Sequence, residues 1–172
     1  MVPLYHDVNS CWDYGVIVTS DLTSSDHIND IVFKAHQRAN AIHRRFISRN
    51  MLAHDYRVYV RPLLEYNSVI WSPRLKCDIE AIERVQRWFT KRLPGYHKYS
   101  YSERLRLLQL PSLETRRLQN DLIWCYKIVF RYTITYSDFF EFWLSNTRGH
   151  PYKLFKRQCS NATRSVFFRA CD

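Results

Sequence analysis

Glycine is scarce in this chain, and so are the residue groupings on which most catalytic sites are built. Three glycines occur among 172 residues, so folds with many tight turns are disfavoured and a mainly helical fold is favoured. The sequence has no Gly-rich phosphate loop and no Gly-x-Ser-x-Gly elbow. No two carboxylates are adjacent, so the clustered ligands that a two-metal polymerase site needs are missing. We therefore expect no catalysis and no cofactor.

Cysteine and histidine also fail to form the groupings that bind metals. Five cysteines and seven histidines occur, but no Cys-x-x-Cys pair or Cys/His cluster is present, so neither a zinc site nor a disulfide framework is predicted. Reduced thiols indicate the nucleus or the cytoplasm, and no signal peptide is expected. No apolar run approaches ~20 residues, so we expect no membrane partner.

Positive charge is absent from the first part of the chain and concentrated in the rest. Residues 1–30 contain five Asp and no Lys or Arg, so residues 31–172 hold all 26 basic residues against the remaining 11 of 16 acidic ones, a net charge of +15. A basic body of this size favours phosphate-bearing partners, through counterion release. An ordinary solvated basic surface is the alternative.

Apolar periodicity predicts a mainly α fold. The β-branched residues 16–19 predict one short strand in an otherwise irregular stretch at residues 1–22. Pro62 predicts a kink or a break in the second helix, and residues after 132 show no clear period. The expected fold is a helical bundle of about five helices with a short N-terminal strand and an irregular C-terminal tail. Apolar spacing places the helices at 26–49, 53–71, 78–93, 100–108 and 112–131, and the sequence SYSE at 100–103 predicts a capping box at the start of the fourth.

Two groups of basic residues are candidates for binding phosphate. On the first predicted helix, four of them fall within an arc of roughly 60° that flanks the apolar stripe. Four more lie near the C-terminal end of the third helix, where they can bind phosphate or simply complement the helix dipole. The candidates are Lys34, Arg38, Arg45 and Arg49 in the first group, and Arg84, Arg87, Lys91 and Arg92 in the second.

Arg116 and Arg117 are further candidates, because they lie in the first turns of the last helix. Positive charge there opposes the helix dipole, so we expect a nearby anion, either an external phosphate or a carboxylate such as Glu114. The apolar stripe of the same helix is expected to point inward; it consists of Leu118, Leu122, Cys125, Tyr126 and Val129.

Aromatic residues are dense in the second predicted helix. Tyr56, Tyr59, Tyr66 and Trp71 can pack in the core or serve as platforms on which bases stack. Buried packing is the commoner use of such residues, so we interpret all four as core residues.

Short motifs follow one another in a recognisable order along most of the chain. They are YGVIVTSDL at 14–22, YVRPLLEY at 59–66, IERVQR at 82–87, YSERL at 101–105, LETRR at 113–117 and TRGH at 147–150. Their order and spacing resemble the stretch after the polymerase palm in non-LTR (LINE-type, jockey-like) retrotransposon reverse transcriptases. The resemblance covers about residues 12–169.

The resemblance implies a helical thumb and its C-terminal extension, which in such enzymes clamp the template–primer duplex. Residues 1–25 would be an irregular remnant of the palm-to-thumb connection, 26–131 the thumb-like domain, and 132–172 a truncated extension. The palm with its Phe/Tyr-Ala-Asp-Asp motif, the fingers and the endonuclease are missing, so both ends look cut. Mg²⁺ is therefore expected only for the full-length polymerase.

The implied partners are an RNA or RNA–DNA duplex, contacted non-specifically along its backbone, and the missing palm and fingers. Two alternatives stay open at this stage. The chain is then either a decayed transposon remnant without independent function, or a stand-alone basic helical module that binds RNA or DNA.

Overall fold

The computed structural model describes residues 9–44 and 48–130, together with the backbone of residues 141–142 and 154–155. Helices account for 68% of the described chain, which confirms the expected mainly α fold. The chain divides into two compact units, Met1–Arg117 and Leu118–Asp172. Most of the predicted C-terminal tail lies outside the described residues.

The chain opens with a β-hairpin rather than a lone strand. β1 (Ser10–Asp13) pairs antiparallel with β2 (Val16–Thr19). Tyr14 and Gly15 connect them with φ of 44° and 80°, the left-handed pair that a tight two-residue hairpin turn requires. The predicted strand is confirmed. The irregular structure expected for residues 10–13 is wrong, since they form β1; the strand was missed because it is exposed throughout and has no alternation of apolar and polar residues.

The first predicted helix is shorter than its periodicity indicates. α1 spans Ser25–His43, and a separate helix, α2, spans Arg49–Asp55; residues 45–47 lie outside the described part of the chain. The expected end at residue 49 is wrong, because α1 ends at His43 and Arg49 begins a different helix, whose Leu52 is buried in the core. Ser48 stands at the N-cap of α2 in extended conformation, a residue type that favours this position.

α5 (Lys76–Lys91) lies beside α1 and runs in the same direction. Near the start of both helices, the Ser25 hydroxyl donates to Asp78 at 2.9 Å. Near their ends, the ring centroids of His43 and Phe89 are 4.4 Å apart. The two helices therefore form one wall of the core, with their outer faces left for other contacts.

The second predicted helix is broken, as Pro62 indicated. A π-helical segment (Tyr56–Val60) precedes α3 (Arg61–Glu65), and Pro62 lies in the first turn of α3. A second break follows at Asn67, whose φ of 52° is left-handed, before α4 (Ser68–Trp71). Proline removes a donor from the helical hydrogen-bond series, and asparagine tolerates the left-handed conformation better than most residues.

A buried glutamine joins three parts of the first unit. Gln86 of α5 is fully buried. Its side-chain oxygen accepts a hydrogen bond from the Tyr56 hydroxyl at 2.8 Å. Its amide nitrogen donates to the Tyr101 hydroxyl at 3.2 Å and to the Pro111 carbonyl at 3.0 Å. Because every polar atom of this side chain has a partner, the site stabilises one packing arrangement of these segments.

α6 (Tyr101–Leu108) and α7 (Leu113–Val129) begin with different kinds of cap. α6 has the predicted capping box: Ser100 accepts from the Glu103 backbone, and the Glu103 carboxylate accepts from the Ser100 backbone. The first N–H of α7 instead donates at 3.0 Å to the carboxylate of Glu83, a residue of α5. Ser112 also caps this end locally, because its hydroxyl accepts from the Thr115 backbone N–H at 3.1 Å.

The second unit contains the rest of α7 and a short antiparallel pairing of β3 (Glu141–Phe142) with β4 (Leu154–Phe155). Leu118, Leu122 and Tyr126 of α7 are about half exposed. Their expected inward orientation is wrong, because α7 has its buried side chains in its first two turns. An apolar stripe thus predicted the helix but not its burial.

Candidate nucleic-acid interface

The outer face of α5 presents a row of cations. Arg84, Arg87 and Lys91 are all exposed, and at ~100° per residue they fall within an arc of roughly 60°. Arg92 follows directly after the helix, with its guanidinium carbon 4.5 Å from the centroid of the Trp88 ring. We call these four basic residues the α5 face. All four were candidates for binding phosphate from the sequence, and their binding of nucleic acid stays a prediction.

Neighbouring groups orient the α5 face without neutralising it. The guanidinium of Arg87 lies 5.0 Å from the ring centroid of Tyr101, and Arg92 donates to the side-chain oxygen of Asn40 at 3.3 Å. None of the ion pairs in the described part of the chain involves a residue of this face. Its positive charge is therefore available to an external anion.

Two histidines beside the α5 face respond to its charge. Burial, and then the positive charge of Arg84, lower the pKa of His36. Burial, and then the charge of Arg92, lower the pKa of His43. Both imidazoles are therefore neutral at pH 7, and they leave the positive charge of this surface to the arginines and Lys91.

The first predicted group of cations lies elsewhere. Lys34 forms an ion pair with Asp30 at 2.7 Å. Arg38 donates to the backbone carbonyl of Tyr59, in the π-helical segment, at 3.4 Å. Arg38 and Asn40 are two positions apart on α1, so they point roughly 160° away from each other. Since Asn40 contacts the α5 face, Lys34 and Arg38 lie on the opposite side of α1.

The other two members of that group do not extend the arc. Arg45 lies outside the described residues. Arg49 begins α2, and its guanidinium carbon is 5.4 Å from the ring centroid of Tyr96. The prediction of one continuous basic arc over four residues is therefore wrong for Arg49, because the helix ends before reaching it.

Arg116 is partly buried and Arg117 is buried, so neither presents a fully exposed cation. Both ends of the Arg116 guanidinium donate to Glu65, with an Nη2–Oε2 distance of 2.9 Å. This hydrogen bonding raises the pKa of Arg116. Arg117 is 3% exposed. The carboxylate that contacts Arg116 is Glu65 of α3, a residue that is distant in the sequence.

A groove beside α1 was not predicted. Tyr56 and Trp71 are buried, as expected, but Tyr59 and Tyr66 are 52% and 56% exposed. Their assignment to the core is wrong for two reasons visible in the backbone: the wide π-helical turn rotates Tyr59 outward, and Tyr66 ends its helix. Both tyrosines line a groove of about 290 Å³.

His27 also lines this groove, and it has a structural role. It is 1% exposed, and its Nδ1 accepts a hydrogen bond from the backbone N–H of Ile17 at 3.3 Å. Burial lowers the pKa of His27, so the ring is neutral and can act as this acceptor. His27 thereby attaches the hairpin to α1.

Neither the side-chain groupings among the described residues nor similarity to known proteins identifies a functional site. Among the described residues, no three His, Cys, Asp or Glu side chains converge as metal ligands would. Within those residues, no helix combines the length and apolarity that a membrane span needs. No protein-family model, no curated protein and no solved structure matches the chain. The surface of the molecule and the order of its sequence motifs are therefore what bear on its function.

Proposed function

We propose that the chain is a non-catalytic, thumb-like region of a non-LTR retrotransposon reverse transcriptase, which holds the backbone of a template–primer RNA–DNA duplex. The observation that carries this proposal is the α5 face, where four exposed cations lie together without a carboxylate partner among the described residues. The order of the sequence motifs supports the family, and the basic surface supports the nucleic acid.

Backbone contacts of this kind position a duplex without reading its sequence. Three of the four residues are arginines, whose planar guanidinium matches phosphate geometry. The stacking of Arg87 and Arg92 on aromatic rings restricts their motion, which reduces the entropy that binding costs. We therefore expect tight but weakly sequence-selective binding.

In this proposal, residues 26–131 form the thumb-like domain, 1–25 its connection to the palm and 132–172 its extension. Catalysis and Mg²⁺ binding belong to the palm of the longer polymerase. Arg116 and Arg117 stabilise the domain and do not bind nucleic acid, since one is paired with Glu65 and the other is buried. Lys34 and Arg38 belong to a separate surface.

Charge reversal on the α5 face tests the proposal. We expect Arg84→Glu combined with Arg87→Glu to weaken binding of a blunt RNA–DNA hybrid by about tenfold or more, because phosphate attraction becomes repulsion. Fluorescence anisotropy of a labelled hybrid measures the change. The matched control, Arg84→Lys with Arg87→Lys, keeps both charges and should bind within about threefold of the unmodified chain.

Both double variants must show the same helical circular dichroism and a cooperative thermal transition, since only then does a loss of affinity report on contact. Equal affinity of the folded Glu variant and the unmodified chain would show that the α5 face does not bind the duplex, and it would refute the proposal.

A further inference from the structure

The groove beside α1 combines exposed aromatic rings with cations. Tyr59 and Tyr66 form its sides, and both side chains are more than half exposed. Trp12, 60% exposed, lies next to it with its ring centroid 4.8 Å from the Lys34 ammonium. Arg38 lines the same groove. Aromatic faces beside basic side chains are the elements from which proteins build sites for unpaired bases.

The groove is small and its lining is mainly apolar, although His27 and the carboxylate of Asp30, which is paired with Lys34, also line it. Its further lining includes Ile31, Val58, Pro62 and Leu63. Its volume of about 290 Å³ lies at the low end of ligand pockets, which typically span about 300–1,000 Å³. A space of this size suits one planar base and not an extended molecule.

The ring of Tyr66 and the backbone of Tyr59 are held in place before any ligand arrives. The Tyr66 hydroxyl donates to the backbone carbonyl of Tyr14 at 3.2 Å. A Cβ at Gly15 would lie 3.4 Å from Cε1 of Tyr66, so the hairpin turn packs directly against this ring. The Arg38 guanidinium in turn donates to the backbone of Tyr59. Such preorganisation reduces the entropic cost of binding.

We propose that this groove binds one unpaired nucleotide, with its base between Tyr59 and Tyr66 and its phosphate beside Arg38. The inference rests on the proposed function, because it adds a single-strand site to a duplex-binding surface. Arg38 is the better phosphate ligand of the two cations, since Lys34 is already paired with Asp30 and no ion pair within the described residues includes Arg38.

The position of the groove defines the nucleic acid that would use it. Lys34 and Arg38 point away from the α5 face across α1, so a duplex on that face reaches the groove only through a single-stranded extension. A helix with its side chains is about 10–12 Å across. An overhang of about eight nucleotides is long enough to pass around a cylinder of that diameter.

The test compares a blunt RNA–DNA hybrid with the same hybrid carrying this overhang. We expect the unmodified chain to bind the overhang substrate about tenfold more tightly, the order of one base–aromatic stacking contact. Tyr59→Ala should abolish this gain and leave the affinity for the blunt hybrid unchanged. Tyr59→Phe keeps the ring and should retain the gain. Tyr99→Ala, at another exposed tyrosine outside the groove lining, is the matched control.

The outcomes separate the two proposals. Equal affinity for blunt and overhang substrates, or a gain that survives Tyr59→Ala, would refute the groove site and leave the α5 face untouched. If the chain binds neither substrate, the proposed function fails and the groove site fails with it. A gain that Tyr59→Ala removes and Tyr99→Ala preserves supports the inference.

Discussion

Two pairs of arginines in this chain differ in burial, and burial decides whether an arginine can contact an external anion. Arg116 and Arg117 stand in the same basic sequence context as Arg84 and Arg87, yet the first pair is inside the unit and the second is exposed. The carboxylate of Glu65 that neutralises Arg116 is 51 positions away. Local sequence cannot reveal such a partner. The residues predicted to bind phosphate therefore included both exposed arginines and arginines with a structural role.

The interior role of Arg116 can be tested through Glu65. Glu65→Gln removes the charge that faces a mostly buried guanidinium and should lower the free energy of unfolding by about 2 kcal/mol, the loss typical of a charged hydrogen bond. Urea denaturation measures it. Glu80→Gln removes an exposed carboxylate and should change stability by less than about 0.5 kcal/mol. Equal effects of the two substitutions would contradict an interior ion pair.

At the scale of elements, the sequence predicted helices well and their limits less well. The capping box at Ser100 and the apolar period of α5 are local signals, and both led to correct helices. The end of α1, the π-helical segment and the exposure of Tyr59 depend on packing of α2 and α3 against the rest of the unit. The α5 face was therefore predictable, whereas the groove was not.

Two substitutions of glutamine by glycine, one after α6 and one inside α1, should change the stability of the protein in opposite directions. Gln109 follows α6 with φ of 52°, a conformation that costs a residue with a Cβ about 1 kcal/mol. We expect Gln109→Gly to stabilise the protein by up to about 1 kcal/mol. Gln37→Gly, at an exposed position inside α1, should destabilise it by about 1 kcal/mol. Thermal unfolding distinguishes them, and destabilisation by both would contradict the left-handed cap.

Positive charge is unevenly distributed along the chain, and around the first helix, α1, it lies on two different sides. The basic residues all follow residue 30, and this asymmetry was enough to predict a phosphate-bearing partner. It did not reveal that the two groups of cations lie on opposite sides of α1. That arrangement comes from the parallel packing of α1 with α5 on one side and the contact of Arg38 with the π-helical segment on the other.

The most direct test of duplex binding is its dependence on salt. A blunt RNA–DNA hybrid is titrated with the unmodified chain between about 50 and 200 mM monovalent salt, the range in which phosphate contacts dominate. With four phosphate contacts on the α5 face, we expect a log–log slope of about −3 to −4, so affinity falls about 60- to 250-fold over this fourfold range of salt. An affinity that stays constant across this range would contradict binding through the α5 face.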